Sequence, residues 1–123
     1  MLYAILCYHS EDAVCSWSKE EDAAVMAKLG AVQERFAKAG KLGPVARLLP
    51  TTAATTLRKD REPPVVLDGP FAETKEQLLG FYVVDCKDLD EVLQFSRELA
   101  AVNPGGAYEV RPIGFFTDGG ARP

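Results

Sequence analysis

Two short stretches of this chain are apolar at nearly every position. Leu2 to Tyr8 and Leu79 to Cys86 run without the alternation of a half-wetted strand, so both are read as inner strands of a sheet. Elsewhere the spacing becomes helical. Val25, Leu29, Val32 and Phe36 give one helix a buried stripe. Ser18 with Glu21 forms a capping box that starts this helix at Lys19, and Gly40 suits the left-handed residue that ends it. Asp88 and Glu91 make a second capping box. The helix that follows is marked by Leu89, Val92, Leu93, Ser96 and Leu99, and Asn103-Pro104-Gly105-Gly106 stops it. Its apolar side is expected to lie beside the first helix.

The remaining segments are shorter. His9 to Trp17 reads as a polar loop, and Leu42 to Leu49 as extended chain with Gly43-Pro44 disturbing its start. Thr51 to Arg58 is rich in threonine, which favours strand. After the polar turn Lys59 to Glu62, Pro64 to Leu67 returns as a short strand. Together these pieces predict a hairpin, and Pro63-Pro64 puts it at an edge. Thr74 to Gln77 is expected to form one helical turn, and Ala107 to Ile113 is the last core strand. The order is strand, helix, strand, hairpin, strand, helix, strand. That is a βαβ–βαβ layout, an α+β ferredoxin-like sandwich with an inserted hairpin. A single domain spans residues 1–113, and residues 114–123 are a tail, partly ordered at best unless Phe115 and Phe116 pack on a partner.

Both helices of such a sandwich cover one face of the sheet. Leu2, Ala4 and Leu6 point one way and Tyr3, Ile5 and Cys7 the other, while Phe81 and Val83 oppose Tyr82 and Val84. Both faces are therefore apolar. Leaving a large apolar side chain wet forgoes about 1.5–3 kcal/mol, so a second copy of the sheet is the expected cover. The dimer would pack face to face or close edge to edge into a barrel. The alternative cover is the hairpin with the tail.

Composition removes several function classes. With 123 residues, 47% apolar and a formal charge of −4, the chain is long enough for one core and carries no basic stripe. Direct binding of nucleic acid is not expected. No apolar run approaches the roughly 18–20 residues that span a bilayer, and the N-terminus lacks the basic start and cleavage pattern of a signal peptide. Cys7, Cys15 and Cys86 are odd in number and show no CxxC spacing. They read as buried thiols of a cytoplasmic protein.

The run from Asp68 to Gln77, DGPFAETKEQ, is the densest polar feature. Asp-Gly tolerates positive φ and Pro70 fixes the next φ near −65°, so the chain turns here in one defined way. That run, with its continuation to Phe95, the stretch Thr52 to Thr56 and the closing Glu109-Val110-Arg111-Pro112-Ile113, closely resembles the DGPF-domain branch of the YCII-related proteins. The resemblance implies a dimeric α+β barrel with a cleft between sheet and loops and the turn at its rim. It also implies an acid–base pair of an Asp with a His on the first helix. The matching dipeptide here is Leu29-Gly30, so that base is absent, and the chain's one histidine is His9. DGPF proteins are often linked to extracytoplasmic-function sigma factors, which implies a regulatory partner as an alternative.

Candidate chemistry centres on the turn. Asp68 and Glu73 are the candidate acid–base groups, although Asp68 can equally spend its carboxylate on backbone N–H groups of the turn. Lys75 and Arg111 are candidate anion clamps, with surface pairing as the plain alternative; Glu109 or Asp68 would be the partner of Arg111. Tyr82 is a candidate cavity-lining group whose hydroxyl needs a partner if buried. Phe71 is read first as an anchor in the core and second as a ligand-stacking ring. No metal-ligand spacing, phosphate loop or dinucleotide motif is present, so no metal or cofactor is expected. The expectation is a homodimer with a small-molecule site near the turn. It acts either as a lyase- or isomerase-type enzyme or as a non-catalytic binding or regulatory module.

Overall fold

The capping box of Ser18 and Glu21 closes in both directions in the computed structural model, which describes residues 1–119. Glu21 N–H donates to Ser18 Oγ at 3.0 Å, and Ser18 N–H donates to Glu21 Oε1 at 3.1 Å. The helix so begun, α2, runs Lys19–Lys38. It follows strand β1 (Leu2–His9) and a short helix α1 (Glu11–Cys15), where a plain loop was expected. Ser10 caps α1 by accepting from Ala13 N–H, with Glu11 and Asp12 in its first turn. Acidic side chains there suit the positive end of a helix.

The chain continues through β2 (Leu42–Arg47), a 3-10 turn at Thr51–Ala53, β3 (Thr55–Arg58), β4 (Val65–Asp68), β5 (Gln77–Asp85), α3 (Leu89–Val102) and β6 (Ala107–Pro112). Four strands form one sheet in the order β2-β5-β1-β6, and each neighbouring pair is antiparallel. Strands β1 and β2 are therefore parallel to each other with β5 between them, and β5 and β6 are parallel with β1 between them. Two split βαβ units interleave, the expected α+β layout. Strands β3 and β4 pair only with each other.

The core lies between this sheet and the helices. Tyr3, Ile5, Tyr82 and Val84 meet Leu29, Val92, Phe95 and Leu99 there. Phe36 of α2 stacks on Phe95 of α3 with ring centroids 3.9 Å apart, so the two helices do lie side by side. Phe95 is missing from the stripe read for this helix, and Leu89 from that stripe is exposed instead. The buried face is set by Val92, Phe95, Ser96 and Leu99, one turn further along than the capping residue suggests.

Three more local expectations change. Thr51 to Ala54 is a tight turn rather than strand, because Glu11 holds Thr51 by its backbone as well as its hydroxyl. No helical turn forms at Thr74 to Gln77; the segment is a bend that leads straight into β5. Only half of the second capping box forms. Asp88 accepts from Glu91 N–H at 2.9 Å, but the Glu91 carboxylate takes Lys87 N–H and the Lys41 ammonium instead.

The hairpin β3–β4 stands on the surface. Thr56 Oγ donates to the Gly69 carbonyl, and Gly69 N–H donates to the Ala54 carbonyl, both at 2.8 Å. Gly69 has φ +106°, the positive value expected after Asp68. Leu57, Val66, Leu67 and Phe71 are nevertheless exposed. Phe115 and Phe116 of the tail are exposed too, and residues 120–123 lie outside the described residues. No helix of the described residues is long and apolar enough to cross a membrane.

Candidate functional site

Between α2 and the sheet lies a half-open cavity of about 120 Å³. The floor is sheet: Cys7 and His9 of β1, Phe81 and Tyr82 of β5, Val45 of β2 and Tyr108 of β6. The roof is helix: Val25, Met26, Leu29 and Gln33 of α2, with Val14 of α1 and Trp17 closing one end. A second recess of about 370 Å³ adjoins it, lined also by Leu48, Leu49 and Pro50. Val14, Asp22, Arg47 and Leu79 line both. The dividing wall is thus an ion pair set among apolar groups.

That ion pair is bidentate. Arg47 Nη2 donates to Asp22 Oδ1 at 2.8 Å and Nη1 to Oδ2 at 3.1 Å. The hydrogen bond from the guanidinium holds the Asp22 carboxyl below its ordinary range, and the same bond raises Arg47. Two of the five guanidinium N–H groups are used in this way.

Inside the cavity the polar groups are few. The Tyr82 hydroxyl accepts from Gln33 Nε2 at 3.0 Å, which leaves its own proton free to be donated. Burial pushes the Tyr82 phenol up to about 12, with the Gln33 bond opposing the shift. Burial likewise lifts Cys7 to about 12, and it raises Tyr108 against an opposing bond from Asn103. The Cys7 thiol is therefore a neutral wall group, since the thiolate is the reactive form. Cys86 is buried in the core and lifted to about 11 in the same way, whereas Cys15 is exposed, contrary to the reading of all three as buried.

Of the residues singled out in the sequence, Tyr82 lines this cavity and finds the partner its hydroxyl needs. The others lie apart from it within one chain. Asp68, Glu73 and Lys75 are exposed on the turn. Phe71 is not in the core; it is 74% exposed, and the Arg58 guanidinium sits 5.3 Å from its ring centre. Arg111 approaches Glu109, Nε to Oε2, at 4.0 Å, with both side chains exposed. Through Leu6–Glu109 and Ala4–Arg111 pairing, these two share the sheet face that lacks helices.

The polar turn is anchored rather than free. Gln77 Nε2 donates to the Thr74 carbonyl at 2.5 Å, and its Oε1 accepts from Glu11 N–H at 2.9 Å. Glu11 in turn grips Thr51. The motif thereby ties its own loop to α1, whose Val14 forms part of the cavity wall. Sequence reading passed over Glu11, Asp22 and Arg47. The acidic start of α1 signals the first, and the pairing of the other two comes from tertiary structure alone.

The YCII-related domain matches residues 1–117 of this chain. The protein is a member of that family. It is 60% identical over 120 residues to an uncharacterised protein of Rhizobium meliloti (strain 1021), covering 97% of each chain. In structure it is similar to 5-chloro-2-hydroxyhydroquinone dehydrochlorinase of Burkholderia phenoliruptrix AC1100, solved in complex with 2,5-dihydroxybenzoquinone. The TM-score is 0.54 at 16% identity, over 92% of this chain and 93% of the other. Leu29, which stands where the resemblance implies a histidine, is buried in the cavity roof of this YCII-related chain.

Proposed function

We propose that this YCII-related protein is a homodimer that holds a small ring compound between α2 and the sheet and acts on it by proton transfer, as a lyase or isomerase. The observation that carries the reading is the cavity itself. An apolar cavity of about 150 Å³ takes a benzene ring, and this half-open one offers about 120 Å³ with a second recess beside it. Its walls are mainly aromatic and aliphatic, with the Tyr82 hydroxyl, Gln33, His9 and the Asp22–Arg47 pair among its polar groups, a make-up common to ligand sites. The fold shared with an enzyme that acts on a chlorinated hydroxyhydroquinone fits this class of ligand.

Homodimer formation supplies what one chain lacks. A lone two-stranded hairpin is marginal in water, yet β3–β4 carries Leu57, Val66 and Leu67 in the open with Phe71 beside them. A second copy would cover these groups and bring the turn residues Asp68, Glu73, Lys75 and Phe71, with Arg111, toward the recess of its neighbour. In this reading Asp68 and Glu73 are the acid–base candidates and Lys75 and Arg111 hold anionic groups. Leu29 favours a second reading, in which the cavity binds without catalysis and the protein serves as a ligand-responsive partner of a sigma factor.

Thermal-shift measurements with 2,5-dihydroxybenzoquinone on wild type, Val45→Trp and Asp68→Asn test the reading, together with sedimentation at micromolar concentration. A dimer, a rise in melting temperature for wild type, none for the plugged Val45→Trp and a smaller one for Asp68→Asn are expected. A monomer removes the role of the turn. An equal response from Val45→Trp removes the cavity.

A further inference from the structure

Tyr82 and Gln33 join the floor of the cavity to its roof. Gln33 follows Leu29 by four residues on α2, and Val25 precedes Leu29 by the same step, so all three share one face of the helix. That face is apolar at Val25 and Leu29 and carries an amide at Gln33. Gln33 Nε2 donates to the Tyr82 hydroxyl at 3.0 Å, and both residues line the cavity. The Tyr82 ring packs edge to face on Phe95 with centroids 6.1 Å apart, and the residue is 6% exposed. Core packing thus fixes the ring while the amide fixes the hydroxyl.

The Gln33 bond takes a lone pair of the phenol oxygen and leaves its proton. Among the described residues no hydrogen bond accepts that proton. Other polar groups of the wall are already engaged. Asp22 and Arg47 hold each other, the Cys7 thiol donates to the Ile5 carbonyl, and Tyr108 is bonded to Asn103. A buried tyrosine O–H usually finds a partner, and water serves where the site is open to it. A ligand that displaces such a water either takes over its bond or strands the donor, which costs affinity.

We propose that the Tyr82 hydroxyl, positioned by Gln33, donates its proton in a hydrogen bond to an oxygen of the bound ring compound and so selects an oxygenated ring over a plain hydrocarbon. A phenol or a ring ketone meets this requirement. The inference deepens the cavity reading above and rests on it. Burial holds the Tyr82 phenol up to about 12, so the group keeps its proton at neutral pH. It therefore polarises and orients the ligand oxygen, and any proton removed from the ligand goes to another group.

Calorimetric titration with phenol and toluene, two probes of similar size, tests this on wild type, Tyr82→Phe and Gln33→Met. The quantity to read is the ratio of phenol to toluene affinity in each protein. It should be about fivefold higher in wild type than in Tyr82→Phe, as one neutral hydrogen bond of ordinary strength provides. Toluene should bind Tyr82→Phe at least as tightly as wild type, because no hydroxyl is then stranded. A tyrosine that served packing alone would leave the ratio unchanged. Gln33→Met keeps the length of the side chain without its amide, and it should lower the ratio by a smaller factor. It decides the matter if Tyr82→Phe does not fold. Toluene bound by all three proteins with one unchanged ratio overturns the assignment and leaves the cavity standing. If wild type binds neither probe, the cavity reading fails and this one with it.

Discussion

The Glu11 carboxylate holds Thr51 with both of its oxygens: Oε1 accepts the backbone N–H at 2.6 Å and Oε2 the hydroxyl at 2.7 Å. Residues on α1 and on the turn before the hairpin are thereby fixed to each other, and Gln77 extends the link to the polar turn. Hydrogen bonds to a charged group contribute about 1.5–3 kcal/mol each. Both partners here are half-buried, so water recovers part of the loss when one is removed. Glu11→Ala should cost about 1–2 kcal/mol, read from the urea midpoint at unchanged slope. A midpoint equal to wild type would mean that the contact contributes nothing.

The stacked rings of Phe36 and Phe95 join the two helices. Phe95 is 1% exposed, whereas Phe36 is half-buried. Truncating a fully buried phenylalanine costs about 3–5 kcal/mol, a large share of the roughly 5–15 kcal/mol that holds a domain together. Phe95→Ala should leave the chain largely unfolded at 37 °C, and Phe36→Ala should fold with a lowered melting temperature. Circular dichroism on both separates them. Equal effects would show that the core is centred elsewhere.

How much of this was legible in the sequence depends on the range of the cause. The capping pair Ser18 and Glu21, the stop at Gly40 and the positive φ of Gly69 are local, and each stands where the sequence put it. The unbroken apolar runs gave the two central strands for the same reason. Phe71 was misread because an aromatic in a polar turn has no periodic context to assign its side. The cavity was invisible, since Arg47 and Asp22, or His9 and Gly105, are brought together only by the fold. The short helix α1 lay between these extremes. Ser10 before two acidic residues is a start signal, but five residues give no apolar stripe to confirm it.

Acid should weaken the wall between cavity and recess. The Asp22 carboxyl is lowered in the folded chain by its bond to Arg47, so the folded state binds this proton less readily than the unfolded one. The stabilisation is complete above the ordinary carboxyl range near pH 4 and is lost as the pH falls through the lower folded value. The side chains are 49% and 34% exposed, so screening keeps the contribution near about 0.5 kcal/mol. Asp22→Asn should therefore lose a little stability at pH 7 and show a shallower decline than wild type between pH 5 and 3, about that same contribution in size. Parallel curves for the two proteins in urea titrations across that range would exclude this pair as a source of acid sensitivity.

The three thiols should separate by reactivity. Cys15 is exposed on the recess, whereas Cys7 is half-buried and Cys86 buried, and burial lifts both of these well above neutral pH. Attack on a disulfide reagent needs the thiolate and access to it. In native protein at pH 8, an aromatic disulfide reagent should consume one thiol per chain quickly and the other two only after unfolding in guanidinium. Cys15→Ser should abolish the fast phase without changing the total released by the remaining two. A fast phase that survives in Cys15→Ser would place a reactive thiol inside the cavity or the core, which the burial of Cys7 and Cys86 forbids. Because Cys15 shares its recess with Arg47 and Leu49, a ring compound bound there should slow this reaction in wild type, while one confined to the inner cavity should leave it unchanged.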